Sequence, residues 1–348
     1  SVCTAIIRTE ATSAQGHVEG KRISVNKATC TEDGEEHVIC SVCTLVLRTE
    51  TVKAIGHTVG PWITSAVLST DAIIVRQRHC TACGYLLEEE TVKSLALTEA
   101  ERVSAKINAV GGSNTFTFAA MSDIHVDNVG TGYNQIPTKK SAEFAVKALS
   151  LMEKMANIKM LALLGDYTAS HQGYTVSNIK SDFDYVRELF EGVGNYPVAW
   201  ARGNHEINYF AGCERPLTNK EVFDNIEANS RGMTVDPLNP EGGYGYVDFP
   251  ENKIRMIFLN TSDVYGEYAF IEGKDAPSIG VSSSQMRWIA SSALDFSDKT
   301  DVSEWGIIIN SHVPLDYNAD TRRVLELLEA YNSGKSGSLR YVQGGKGY

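Results

Sequence analysis

Four short segments of this chain carry side chains suited to divalent metal ions: Asp123-Ile124-His125, Gly165-Asp166, Arg202-Gly203-Asn204-His205-Glu206 and Ser311-His312. Each follows an apolar run that reads as a strand, at residues 116–121, 160–164, 197–201 and 307–309. Asp-x-His alone is a weak signal and Gly-Asp alone is nearly uninformative. Together, in this order and each at the end of a strand, they point to one metal site. Two divalent ions about 3.5–4 Å apart clamp the attacking and leaving oxygens of a phosphoryl transfer. Asp166 is the natural bridging ligand, since a carboxylate has an oxygen for each ion. Asp123 and His125 are then expected on the first ion, and Asn204 and His312 on the second. The expected nucleophile is a hydroxide bridging the two ions. His205 follows the Asn204 ligand and is expected to protonate the leaving oxygen or stabilise its charge.

The polar residues near these segments have plainer readings. Asp123, Asp166 and Asn204 are each, taken singly, ordinary turn residues. Glu206 either orients a neighbour or is structural. His171 and Asp127 read as solvated loop residues, Tyr167 and Tyr174 as packing, and Cys213 as an isolated thiol. The elements alternate: helical spacing at 141–157 and 181–191, strands at 244–249 and 254–259, and a helix at 321–331. Ser282-x-x-Gln285 reads as a capping box opening a helix through Leu294. Strands alternating with helices imply a layered α/β fold whose ligands sit where strands end.

These segments resemble the first four sequence blocks of the calcineurin-like metallophosphoesterases, over residues 115–348. The resemblance implies a four-layer α/β/β/α sandwich. It also implies a centre of two divalent ions (Mn, Fe, Zn or similar) and hydrolysis of phosphate monoesters or diesters, either small molecules or a phosphorylated polymer. It carries the ligand roles to Asp123, His125, Asp166, Asn204 and His312, and the acid role to His205. The family's last block, Gly-His-x-His, has no counterpart after His312, so the domain is expected to be C-terminally truncated. The protein phosphatase branch carries a second Asp and an Arg in its second block, where this chain has Gly165-Asp166-Tyr167-Thr168-Ala169-Ser170-His171. Ala169 speaks against that activity. His125 and Ala169 speak against the purple acid phosphatase branch. The rival to an enzyme is a non-catalytic surface-binding protein with a degenerate hydrolase domain. Specificity is expected in the loops 207–243 and 262–280.

The cysteines tell a separate story. Cys3, Cys43 and Cys83 are spaced by 40 residues, as are Cys40 and Cys80, and His17 and His57. Arg8-Thr9-Glu10 repeats as Arg48-Thr49-Glu50, and Glu50-Thr51-Val52-Lys53 as Glu90-Thr91-Val92-Lys93. A fixed period marks a tandem module. One unit reads complete as Cys30-x9-Cys40-x2-Cys43-x13-His57, three thiolates and an imidazole, which is a tetrahedral structural-zinc set. The third copy has Thr70 and Leu97 where that unit has Cys30 and His57. Disulfide pairing and plain burial are the competing readings. The stretch resembles cysteine-rich repeats of Gram-positive gut bacterial surface proteins, through Cys30-Thr31-Glu32-Asp33-Gly34, Cys80-Thr81-Ala82-Cys83-Gly84 and Gly56-His57-Thr58. It implies a secreted or cell-surface location and a cell-surface partner.

Composition bounds the rest. Among 348 residues, 43% are apolar and 22% charged, an ordinary globular balance. A net charge of −11 speaks against a dedicated nucleic-acid binder, which needs a basic face. No apolar run approaches the roughly 20 residues of a membrane span. The expected organisation is repeats at 1–97, a linker at 98–114 ending in Gly111-Gly112-Ser113-Asn114, and a phosphoesterase domain at 115–348. Gly334-Lys335-Ser336 lacks the glycine a phosphate loop requires, and His205-Glu206 lacks the second His of a zinc-protease helix.

Overall fold

The computed structural model describes residues 10, 13–68, 72–111, 115–128, 130, 138–171, 173–208, 212–263, 279–334, 342–343 and 346–347. Cys3, Thr70, Gly112-Ser113-Asn114 and most of the 262–280 loop lie outside them. The chain divides into two compact units, Ser1–Ser94 and Leu95–Tyr348.

The first unit is the repeat region. β1 (Glu19–Asn26), β2 (Gly34–Cys40) and β3 (Val46–Val52) form one antiparallel sheet. β4 (Val59–Leu68), β5 (Ile73–Cys80) and β6 (Leu86–Lys93) form a second in the same order. The 40-residue period therefore encodes a three-stranded meander. At the β2–β3 turn the N–H of Thr44 donates to Cys40 O at 3.1 Å, and at the β5–β6 turn that of Gly84 donates to Cys80 O at 2.9 Å. Both turns need a left-handed residue, Thr44 at φ 62° and Gly84 at φ 75°, and only glycine meets that without strain. The buried apolar side chains among the described residues of this unit are Cys30, Val38, Ile39, Cys40, Ala72 and Cys80. Half are cysteines, and so small a core does not hold short meanders by itself.

The second unit opens with α1 (Leu95–Val110), so residues 98–110, expected as linker, are helical. Its buried stripe is Ala96, Ala100 and Ser104, spaced by four. Such small residues let α1 lie close to its neighbour, yet they leave little hydrophobic periodicity to read. There follow β7 (Ala119–Met121), α2 (Thr138–Met152), β8 (Leu161–Leu163), α3 (Val176–Glu191), β9 (Val198–Trp200) and α4 (Asn219–Asn225). Then come β10 (Thr234–Val235), β11 (Gly245–Phe249), β12 (Ile254–Leu259), α5 (Ser283–Trp288), β13 (Gly306–Ser311), α6 (Ala319–Asn332) and the short pair β14 (Val342–Gln343) and β15 (Lys346–Gly347). α3 begins earlier than the expected 181, because Thr175 accepts the N–H of Asn178 at 3.1 Å and caps it, and Ile179 extends the buried face.

Side-chain alternation sorts this unit into four layers. β7, β8 and β9 form a parallel sheet, and β10 to β13 a second sheet in which β12 and β13 run parallel. Leu161 and Leu163 face the core shared with Ala142 and Val146 of α2 and Phe183 of α3. Met160 and Ala162 face the other way, into a core with Met256 and Phe258 of β12. The alternate β12 residues, Ile257 and Leu259, pack with Trp288 of α5 and Val324 of α6. Helices, sheet, sheet and helices are thus joined by three apolar interfaces, the α/β/β/α architecture.

Ser282 does cap α5, accepting the N–H of Gln285 at 3.1 Å. The reciprocal half of the expected box is absent. The Gln285 side chain instead accepts from Asn260 N at 3.0 Å and donates to Asn260 O at 2.9 Å, tying α5 to the end of β12. The helix turns into a π-turn at Ile289–Ala293, within the expected span to Leu294.

Candidate metal centre

The parallel β7, β8 and β9 end at one edge, so the loops that follow them share it. Asp123 and His125 follow β7, Asp166 follows β8, and Asn204 and His205 follow β9. His312 directly follows β13 in the second sheet. Glycine lets the loops approach: a Cβ on Gly203 would overlap the Asp166 carboxylate, and one on Gly165, at φ 94°, would overlap the Gly203 backbone.

The donor atoms converge. His125, Asp166 and His205 place one ligand atom each within 4.8 Å of one another, and so do Asp123, Asp166 and His312. Asp166 is common to both groups. Its Oδ2 lies 3.3 Å from His312 Nε2, 3.7 Å from His205 Nε2 and 3.8 Å from His125 Nε2. Asp123 Oδ1 lies 3.7 Å from His125 Nε2, and Asn204 Oδ1 lies 3.1 Å from His312 Nε2. The grouping differs from the expected division in two respects: Asp123 stands with His312 as well as near His125, and His205, expected as the proton carrier, stands in the donor group of His125.

The donors fit divalent ions. His312 Nδ1 sits 3.0 Å from the Leu164 carbonyl, and His125 Nδ1 sits 3.3 Å from the Thr168 carbonyl. A carbonyl accepts an N–H from Nδ1, so it is Nε2 of each ring that faces the shared carboxylate and would offer its lone pair to an ion. That is the orientation a ligating imidazole takes. Asp123, His125 and Asp166 adopt φ of 56°, 48° and 54°. Left-handed backbone costs non-glycine residues about 1–3 kcal/mol each and concentrates at functional sites.

Charge follows the geometry. Burial raises the Asp166 carboxyl, but the hydrogen bond and charge of His312, with the charge of His205, outweigh it and hold the group below the usual carboxylate range. Burial presses His312 down, yet Asp166 lifts it to about 9. Burial lowers His205 to about 4, helped by His125 and opposed by Asp166.

Glu206 has a definite place. It is fully buried, and its carboxylate accepts the N–H groups of Asp166, Tyr167 and Gly203, each at 2.8 Å. Thr261 is a residue the sequence did not single out. Its Oγ1 accepts the N–H of Val313 at 3.2 Å, just after His312. Nothing in a Thr after a strand announces that role. Tyr167 and Tyr174 are buried, with 0% and 1% exposure, so they are packing residues. Tyr167 donates to Leu163 O at 2.7 Å, and Tyr174 to Asp182 Oδ2 at 2.8 Å. Asp127 accepts from Gly130 N at 2.8 Å and Cys213 donates to His171 O at 3.1 Å, and neither belongs to the two donor groups.

The repeat cysteines group otherwise than expected. The quartet Cys30, Cys40, Cys43 and His57 is divided between two clusters. Cys30 and His57 stand with Cys80 and Cys83, while Cys40 and Cys43 stand with His17. The reason is the meander. Each Cys-x2-Cys turn is held to the residue that follows its own sheet's leading His, by Ser41 N to Val18 O and Thr81 N to Thr58 O, both 2.9 Å. Cys30, in the β1–β2 turn, is instead held to the segment entering the next sheet, by Ile55 N to Thr29 O at 3.0 Å and Gly56 N to Cys30 O at 3.1 Å.

Residues 116–333 match the calcineurin-like phosphoesterase family, and the chain belongs to it. Metal-dependent phosphoester hydrolysis is the chemistry of that family, with divalent ions as its cofactors. Among solved structures, a purple acid phosphatase from seeds of yellow lupin (Lupinus luteus) is similar at TM-score 0.33 and 11% identity, over 86% of this chain and 52% of that one. The chain thus spans about half the length of that structure. No curated protein matches the chain. Among the described residues, no helix is long and apolar enough to cross a membrane.

Proposed function

We propose that this chain hydrolyses phosphate monoesters or diesters at the edge where Asp123, His125, Asp166, Asn204, His205 and His312 meet. The observation that carries the reading is the sharing of Asp166 by two donor groups, each within 4.8 Å. Asp166 would hold both ions, flanked by Asp123, His125, Asn204 and His312. When bound, the ions supply positive charge that activates water and neutralises the phosphate.

The chain's own residues do the rest. Asp123 leaves the site open on one side, its side chain 59% exposed, whereas that of Asp166 is 5% exposed. A phosphate group therefore enters past Asp123 and meets the buried donors. His205 is held near His125, ring centroids 4.5 Å apart, and its backbone N–H donates to Asp166 Oδ1 at 2.9 Å. An arriving phosphate anion raises the imidazole and favours its protonated form. As water oxygen bonds to phosphorus and the ester P–O bond breaks, His205 gives its proton to the departing oxygen. Ala169, where a carboxylate would orient His205 in a protein phosphatase, supports small esters over phosphoproteins as substrates.

The test is hydrolysis of p-nitrophenyl phosphate, bis(p-nitrophenyl) phosphate and a phosphopeptide by the Mn²⁺-loaded chain. Turnover of a nitrophenyl ester, lost by more than about a hundredfold in Asp166→Asn, supports the reading. No metal-dependent turnover of any of the three would favour the binding-protein reading.

A further inference from the structure

We infer that Cys30, His57, Cys80 and Cys83 form a structural zinc site that staples one repeat to the next. The donors come from two sheets: Cys30 from the β1–β2 turn, His57 from the segment between sheets, and Cys80 and Cys83 from the β5–β6 turn. All four ligand atoms lie within 4.8 Å of one another.

The spacing suits the ion. Around one zinc, with Zn–S about 2.3 Å and Zn–N about 2.0–2.1 Å at tetrahedral angles, sulfurs stand roughly 3.8 Å apart and sulfur and nitrogen roughly 3.5 Å apart. Cys30 Sγ and Cys80 Sγ are 3.7 Å apart, and Cys83 Sγ and His57 Nδ1 are 3.4 Å apart. The sulfur separation is far from the roughly 2.05 Å of a disulfide. His57 stacks on Tyr85 at 5.1 Å and 16°, which fixes its ring. Cys30 and Cys80 are buried while His57 and Cys83 are exposed, so an ion has an entry path.

The period repeats the same geometry. Forty residues earlier, Cys43 Sγ lies 3.3 Å from His17 Nδ1, and Cys40 completes that group. In its turn the N–H of Val42 points at Cys40 Sγ at 3.4 Å, the hydrogen bond a knuckle thiolate accepts. Among the described residues this cluster groups three donors, and the proposal concerns the set of four. An ion shared across the β1–β2 turn and the next sheet joins units whose own cores are too small to hold them. Stability then resides in the joints between repeats.

The two groupings of the cysteines separate cleanly by experiment on the whole chain. Cobalt is the probe, because sulfur-to-cobalt charge-transfer absorption reports thiolate ligands and the hydrolase donors contain no sulfur. Cys43 and Cys83 are both exposed, so each is replaced without opening a core. Under reducing conditions and chelator competition, the parent and Cys43→Ser are expected to keep the band, and Cys83→Ser to lose it. The converse pattern, or no sulfur band in the parent, overturns the proposal. A second measurement needs no variant: zinc is expected to protect Cys30 and Cys83 together from alkylation. Alkylation of Cys83 indifferent to zinc overturns it equally.

Discussion

Arg202 and Glu227 form a bidentate pair inside the second unit, Nε to Oε1 and Nη2 to Oε2 both at 2.7 Å, with neither side chain exposed. Arg202 also donates to Asn219 Oδ1 at 2.6 Å. The pair stands directly before Gly203, Asn204 and His205, so it fixes the start of the loop that brings a donor and a proton carrier to the Asp166 edge. Two buried charges leave water at a cost their attraction barely offsets, but stranding one of them is far worse.

Glu227→Gln is therefore expected to destabilise the second unit by about 3–5 kcal/mol. The double variant Arg202→Met, Glu227→Leu, which strands no charge, is expected to lie closer to the parent. Urea unfolding of both variants measures this. Equal losses in the two would mean that packing, and not the stranded charge, sets the cost.

Glu206 gives a second expectation. Its carboxylate faces backbone donors from Asp166, Tyr167, Thr168 and Gly203. Burial raises this group to about 7, helped by the charge of Asp166 and opposed by the Asp166 N–H and by His312. A glutamine would turn an NH₂ toward N–H groups and leave donors unpaired, each at about 1–3 kcal/mol. Glu206→Gln is expected to lower metal affinity by about 10–100-fold, because the Asp166 loop loses its support. Mn²⁺ titration followed by calorimetry checks it. Unchanged affinity with lowered stability would make Glu206 a folding residue alone.

The strand-end residues were legible because metal chemistry restricts the donors and each apolar run before them is short and unbroken. Asp166, His312 and Asn204 lie in three separate segments of sequence, and only the order of strands said that they belong together. α1 was not legible, since Ala96, Ala100 and Ser104 bury a helix face with almost no hydrophobic contrast. Gln285 has the spacing of a capping-box partner, but the buried backbone of Asn260 at the end of β12 competes for its amide and wins. Among the cysteines the period was readable and the partners were not. Nearness along the chain favours Cys30 with Cys40 and Cys43, whereas the β1–β2 turn hands Cys30 to the following sheet. Glu206 was ambiguous because a buried acceptor of N–H groups leaves no pattern in sequence.

The proton role of His205 predicts a dependence on the leaving group. A nitrophenolate departs without help, while an alkoxide requires a proton. His205→Asn is expected to slow alkyl phosphate hydrolysis by about 10²–10⁴-fold and nitrophenyl ester hydrolysis much less. Comparing kcat for the two ester types in parent and variant tests this. Equal losses on both would assign His205 to holding the phosphate in place.

Asp182 predicts how the second unit responds to pH. It is fully buried on α3, accepting the N–H of Asn128 at 2.8 Å and the hydroxyl of Tyr174 at 2.8 Å. Burial, with the charge of Asp127, outweighs these hydrogen bonds and raises the carboxyl from 3.8 to about 7. Between those values the folded chain keeps a proton that the unfolded chain has released. Stability contributed by this group is therefore full at acid pH and falls as pH rises through the window. Asp182→Asn does not titrate, and its amide reproduces the neutral carboxyl's donor and acceptor. Relative to the parent, the variant is expected to gain stability between pH 5 and 8, on the order of 2 kcal/mol. Urea midpoints of both proteins at the two pH values measure the difference. Parallel pH dependence in parent and variant would show that Asp182 is ionised throughout, its charge held by Asn128 and Tyr174.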